Sequence, residues 1–148
     1  MPGLDTGSML TVGRVVRSAV FITDGTEQIV GQAGLSRAEF EILAVIRASA
    51  RPLRASELSR MTQASGAAIT KRLDKLSRME LVERKQLPRD RRVVLVALTA
   101  DGEEIIDRLV PEVLEYERNW LSSFTDEEIA DLERLIQKLM IVVEPPRA

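Results

Sequence analysis

SGAAITKRLDKLSRMELVERKQLPRDRRVVLVALT, residues 65–99, contains the pattern from which the fold can be predicted. It opens with small residues, and then Ile69, Leu73 and Leu76 recur at the spacing of one buried helical face. Two alternating runs follow, residues 81–86 and 93–98, joined by a turn that contains PRDRR. A narrow helix followed by a hairpin with a basic tip predicts a winged helix-turn-helix. In that fold the helix fits the major groove of duplex DNA and the hairpin reaches the adjacent minor groove.

Helices are predicted on both sides of this stretch. Ser36 and Glu39 have the spacing of a capping box, and Thr125 and Glu128 repeat it before the last helix. The predicted fold class is mainly α with a small β-hairpin wing. We expect a disordered tail over residues 1–8, a DNA-binding lobe over 35–102, and dimerisation helices over 9–34 and 103–143. The helical regions at the two ends are more apolar than one small domain can cover, which favours a homodimer.

Charge is unevenly distributed along the 148 residues. The net charge is only −2, yet residues 51–92 contain twelve Lys and Arg against five Asp and Glu. A basic middle with acidic flanks is typical of a module that binds nucleic acid. Within it, Ser65 and Gly66 are small enough to let a base edge approach, and Ser65 also fits the role of a helix N-cap. We expect Lys71, Lys75 and Arg89 to contact phosphates.

The absence of Cys and His excludes several functions. No disulfide, redox thiol or serine-histidine pair is possible, and a zinc site made of carboxylates alone is improbable. We find no nucleophile–base pair, phosphate-binding glycine loop or metal constellation, so we predict neither an enzyme nor a cofactor. No apolar run approaches the length of a membrane helix and no signal peptide is recognisable, so we expect a cytoplasmic protein.

A set of short matches identifies a resemblance that covers nearly the whole chain, from about residue 9 to residue 143. The residues that carry it are Leu35, Ser36, Glu57, Leu58, Ser65, Gly66, Thr70, Lys71, Arg72, Leu73, Leu81, Val82, Glu83, Arg84, residues 88–92, Leu98, Thr99 and Gly102. In this order and at these separations, the chain resembles the MarR (multiple antibiotic resistance regulator) family of bacterial transcription factors. One position departs from the pattern. Glu80 stands where the family usually has a glycine, directly after the recognition helix, which is the predicted helix that begins at about Ser65.

The resemblance implies a homodimer of winged lobes that binds a pseudo-palindromic operator in double-stranded DNA. It assigns the recognition helix its contact residues, which are Ser65, Gly66, Ala67, Thr70, Lys71 and Arg72. In the wing, Asp90 resembles the acid that orients an arginine, and Arg91 or Arg92 resembles the arginine that enters the minor groove. The expected function is a dimeric, sequence-specific repressor.

The resemblance also implies control by a small molecule, commonly an anionic aromatic one. Some members of the family respond instead through cysteine or zinc, which this chain cannot do. We therefore expect a small-molecule effector or none, and the candidate pocket residues are Arg14, Arg17, Arg47 and Trp120. One alternative to DNA binding stays open, namely a winged-helix module whose hairpin docks on another protein.

Overall fold

The computed structural model describes residues 6–87 and 90–143, and at residues 86, 87 and 90–93 it describes the backbone alone. The described elements are α1 (Gly7–Gly31), α2 (Arg37–Ser49), β1 (Leu53–Arg54), α3 (Ala55–Met61), α4 (Gly66–Arg78), β2 (Val82–Leu87), β3 (Asp90–Leu98), α5 (Ala100–Leu121) and α6 (Asp126–Val143). The predicted fold class, mainly α with a small β-hairpin wing, is confirmed.

Local side-chain hydrogen bonds fix where the helices begin. Ser36 Oγ accepts from the Glu39 amide at 3.3 Å, and the Glu39 carboxylate accepts from the Ser36 amide at 2.8 Å, so the predicted capping box is present. Thr125 and Glu128 form the second box in the same way, at 3.3 and 2.9 Å. The first helix begins earlier than expected: α1 includes Gly7, which we had placed in the tail.

Three antiparallel strands form the sheet, in the order β1-β3-β2. The hairpin pairs Val82 with Leu98 and continues to the pairing of Leu87 with Asp90. The prediction that the second strand begins at Val93 was therefore wrong, since β3 begins at Asp90. The apolar alternation stops at Val93, whereas backbone pairing continues through charged residues. The sequence analysis also missed β1, because two residues are too few to show alternation.

The chain divides into two compact units, residues 1–113 and 114–148, and the boundary falls within α5. The first unit has a core of apolar side chains from α2, α3, α4, the sheet and the first half of α5, together with Val30 of α1 and Leu35. In the second unit, none of the described α6 residues is buried. None of the helices between residues 6 and 143 combines the length and the hydropathy that crossing a bilayer requires.

Candidate nucleic-acid interface

Helix α4 has one face in the core and the opposite face in solvent. Ile69, Leu73 and Leu76 are buried, as the sequence predicted. Ser65 is the N-cap of this helix, and its hydroxyl accepts a hydrogen bond from the Ala68 amide at 3.2 Å. The predicted contact residues at the exposed start of the helix are Ser65, Gly66, Ala67, Thr70 and Lys71. A Cβ added at Gly66 would meet nothing within 4 Å, so the surface is open there.

A second group of cations lies where α4 passes the start of α2. Lys71, Arg72, Lys75 and Arg78 line one cleft together with Ser36, Ala38, Glu39 and Ala68. The first turn of α2 contributes the partial positive charge of a helix N-terminus to the same place. The fold therefore places Lys71 and Arg72 next to the start of α2. The sequence analysis omitted Arg78, although its spacing of seven residues from Lys71 puts the two side chains on one helical face.

Lys75 has partners inside the lobe that the sequence did not predict. Its ammonium group donates to the backbone carbonyl of Gly34 at 2.9 Å and to the Glu39 carboxylate at 2.7 Å. Burial of Glu39 opposes its ionisation, but the hydrogen bonds from Lys75 and Ser36 outweigh burial and hold the pKa of the Glu39 carboxyl below its usual value. The Lys75 side chain stays 39% exposed. The sequence predicts a phosphate contact for Lys75, whereas these bonds indicate a structural role.

The wing is attached to α4 by a side-chain contact. Arg84 on β2 donates to the Asp74 carboxylate on α4 at 2.6 Å, which joins the hairpin to the recognition helix. The backbone places Asp90, Arg91 and Arg92 at the start of β3, at the tip end of the hairpin. The side chains of these three residues, and all of Arg89, lie outside the described residues. Their assignment to the minor groove therefore stays a prediction.

The turn between α4 and the wing adopts the conformation that glycine favours. Glu80 has a φ of +59°, and the amides of Glu80 and Leu81 donate to Ser77 and Leu76 carbonyls at 3.1 and 3.0 Å. This is a Schellman motif with a left-handed residue that is not glycine. Glu80 thus adopts the left-handed conformation at a position where the family usually has a glycine, and the order of helix and wing is unchanged.

The start of α5 is hydrogen-bonded to this Schellman turn. Thr99 Oγ1 donates to the Glu80 carbonyl at 2.6 Å and accepts from the Gly102 amide at 3.0 Å, which makes it the predicted helix cap. The Thr99 amide donates to the Leu81 carbonyl at 3.1 Å. A Cβ at Gly102 would lie 2.0 Å from the Leu81 oxygen, so the backbones are too close for any side chain.

Three of the candidate effector residues, Arg14, Arg17 and Arg47, lie in two different clefts of the first unit. Arg14 and Arg17 line a shallow cleft along the start of α1. Arg47 lines a different cleft, at the end of α2, and its guanidinium donates two hydrogen bonds of 2.8 Å to the Asp107 carboxylate on α5. Those bonds lower the pKa of Asp107. Trp120 belongs to the second unit and packs edge-to-face on Tyr116, with the ring centroids 6.0 Å apart. Whether these four residues bind an effector stays a prediction.

No metal site emerges from this geometry. Among the residues that the structure describes, no three His, Cys, Asp or Glu side chains are grouped so that they could hold a metal ion. What the geometry does provide is a winged helix-turn-helix lobe whose exposed helix is rich in small and basic side chains.

Comparison with known proteins supports the assignment to the winged helix-turn-helix class. The model of the MarR family matches residues 35–94. PecS, an HTH-type transcriptional regulator of Dickeya dadantii (strain 3937), is 32% identical over 140 residues, which cover 93% of this chain and 84% of PecS. Sco3205, a MarR family transcriptional regulator from Streptomyces coelicolor solved in complex with DNA, superposes with a TM-score of 0.89 at 20% identity. That match covers 100% of this chain and 94% of Sco3205.

A further solved structure is a cysteine-to-serine mutant of MarR from E. coli complexed with operator DNA. It has a TM-score of 0.73 and 26% identity, and the match covers 91% of this chain and 97% of that protein. The chain belongs to the MarR family and is a transcriptional regulator with a winged-helix DNA-binding lobe. The relatives are transcriptional regulators and not enzymes, and they favour DNA binding over the protein-docking alternative.

Proposed function

We propose that this chain is a dimeric repressor that binds a pseudo-palindromic operator and is released from it by a small molecule. The observation that carries the proposal is the exposed face of α4. Its first turn presents Ser65, Gly66 and Ala67, so the backbone can approach base edges closely in the major groove. Thr70 and Lys71 follow on the same exposed face and supply a hydroxyl and a cation.

The cleft between α4 and the start of α2 supports phosphate binding. Lys71, Arg72 and Arg78 line it, and the amide dipoles at the N-terminus of α2 add to their positive potential. Each phosphate that such cations neutralise releases counterions, so affinity falls as salt rises. In this proposal the wing recognises the width of the minor groove, because Asp90 orients Arg91 or Arg92 inside it. Arg89 contacts a phosphate. The operator DNA bound by MarR from E. coli is the precedent.

Two apolar surfaces support the dimer. On α1 the exposed apolar side chains are Met9, Leu10, Val12, Val15, Val16, Val20 and Phe21. On α6 a stripe at helical spacing is exposed, consisting of Leu132, Leu135, Ile136, Leu139, Met140 and Val143. Exposed apolar patches of this kind on a regulator mark association surfaces. We propose that a second copy of the chain covers both, so that two lobes read half-sites about 10 bp apart.

In this proposal, operator binding is controlled by an equilibrium between two spacings of the DNA-binding lobes in the dimer. An effector releases the operator if it binds more tightly to the spacing that does not fit two successive grooves. We place a small anionic ligand near Arg14, Arg17, Arg47 or Trp120, where a guanidinium or indole could hold its carboxylate or ring. Like other regulators that act on the chromosome, the protein is expected to work in the cytoplasm.

A binding titration at several salt concentrations tests the proposal. The probe is the tightest duplex that the protein selects from a random library of about 30 bp, long enough for two half-sites. We expect binding as a dimer, with affinity that falls steeply with salt. Lys71→Gln should weaken binding and make the slope of log K against log salt shallower by about 1.8, because the dimer loses one phosphate contact in each chain. Lys138→Gln, on α6, is the matched control and should change neither. Salt-independent binding, or no binding to duplex, would contradict the proposal.

A further inference from the structure

Lys75 connects three parts of the lobe through one ammonium group. Its two hydrogen bonds reach the Gly34 carbonyl, in the corner between α1 and α2, and the Glu39 carboxylate, in the first turn of α2. Lys75 itself lies in the last turns of α4. These contacts span 41 and 36 residues of sequence, so they constrain tertiary arrangement and not local helix geometry.

The partners of Lys75 are themselves held in place. Glu39 is only 6% exposed, and its Oε2 also accepts from the Ser36 amide at 2.8 Å. Gly34 has a φ of +72°, and its amide donates to the Gly31 carbonyl at 2.9 Å, which holds the residue in the corner. Without Lys75 the buried Glu39 carboxylate would lose its cation, and a buried charge without a partner is costly. The ammonium therefore satisfies two acceptors whose positions are set by other bonds.

We propose that Lys75 is a positioning residue: together with Glu39 and Gly34 it forms an internal strut that sets the angle of α4 against α2. Through that angle it determines how the exposed face of α4 enters the groove, and it does not act by contacting a phosphate. The inference rests on the proposed DNA-binding function and changes the role of one residue that the sequence analysis placed on the phosphates.

The two roles of Lys75 predict opposite effects of one substitution. If Lys75 binds a phosphate, Glu39 competes with the DNA for it, so Glu39→Gln should strengthen binding. If Lys75 and Glu39 form a strut, Glu39→Gln weakens binding, because the charge-assisted bond that orients α4 becomes a weaker bond to a neutral oxygen. Glutamine keeps the acceptor for the Ser36 amide, so the start of α2 is preserved. Glu41→Gln is the matched control, since Glu41 is exposed on the same helix.

The experiment measures the affinity and salt slope of each variant for the selected duplex of about 30 bp. We expect Lys75→Gln and Glu39→Gln each to weaken binding by about three- to tenfold, and the double variant to be no weaker than either, because the two residues act as one unit. The salt slope should stay at the wild-type value. Lys75→Arg should restore binding to within about twofold, because a guanidinium can also bridge two acceptors. Circular dichroism confirms that each variant is folded.

The outcomes separate the inference from the proposed function. Tighter binding by Glu39→Gln, or a salt slope that becomes shallower by about 1.8 in Lys75→Gln as it does in Lys71→Gln, overturns the strut while DNA binding stands. Additive losses in the double variant also overturn it. If the wild-type protein binds no duplex, the proposed function fails and the strut's role in DNA reading fails with it.

Discussion

Replacing Gly102 by alanine should destabilise the junction between the wing and α5. The added Cβ would lie 2.0 Å from the Leu81 carbonyl oxygen, and relief of that clash requires the first turn of α5 to move by about 1 Å. Three hydrogen bonds hold the turn, from Gly102 to Thr99, from the Thr99 hydroxyl to Glu80 and from the Thr99 amide to Leu81. At a net 0.5–1.5 kcal/mol each, their loss lowers the free energy of unfolding by about 3 kcal/mol.

The assay is thermal and urea unfolding of both proteins at equal concentration, because the stability of a dimer depends on concentration. We expect the melting temperature of Gly102→Ala to fall by about 6–12 °C. Gly66→Ala is the matched control, since a Cβ there meets nothing within 4 Å, and its free energy of unfolding should stay the same or rise by up to about 1 kcal/mol because alanine is the better helix former. A Gly102→Ala protein as stable as the wild type would refute the close packing of α5 on the Schellman turn.

Three further predictions concern Glu80 in the Schellman turn, the stability of the protein at acid pH and Arg92 in the wing. Glu80→Gly should raise the free energy of unfolding by about 0.5–1 kcal/mol in urea titrations, because φ is +59° there. Hydrogen bonds from Arg51 and the Arg54 amide lower the pKa of Glu57 to about 2. The stability this gives is complete above the unfolded pKa of about 4.3 and is lost as pH falls to about 2, so Glu57→Gln should flatten the stability profile in that window. Arg92→Ala should weaken operator binding and leave the dimer folded; unchanged affinity at fixed salt would remove Arg92 from the minor groove.

Local signals in the sequence were sufficient for the elements that depend on local bonds. Both capping boxes, the cap at Thr99 and the buried stripe of α4 were predicted and are confirmed, because each involves residues within a few positions of one another. The start of β3 was not, since Asp90 joins the strand by backbone pairing that side-chain alternation does not report.

The DNA-binding site could be predicted only in part from the sequence, because some of its contacts join residues that are far apart in the chain. The exposed start of α4 follows from helical periodicity, so Gly66 and Lys71 could be found. The contacts of Lys75 with Gly34 and Glu39 depend on how two helices cross, and no spacing within either helix encodes that crossing. Arg47 was chosen as a pocket residue from its type alone, and its pairing with Asp107 required the fold.

The central claim is that two copies of the chain present α4 and the wing to successive turns of one duplex. A hydroxyl-radical footprint on the selected duplex, at protein concentrations where the stoichiometry is measured in parallel, tests it most directly. Binding as a dimer should give two chains per duplex and two protected patches related by a dyad, with centres about 10 bp apart. One protected patch bound by a single chain would contradict it.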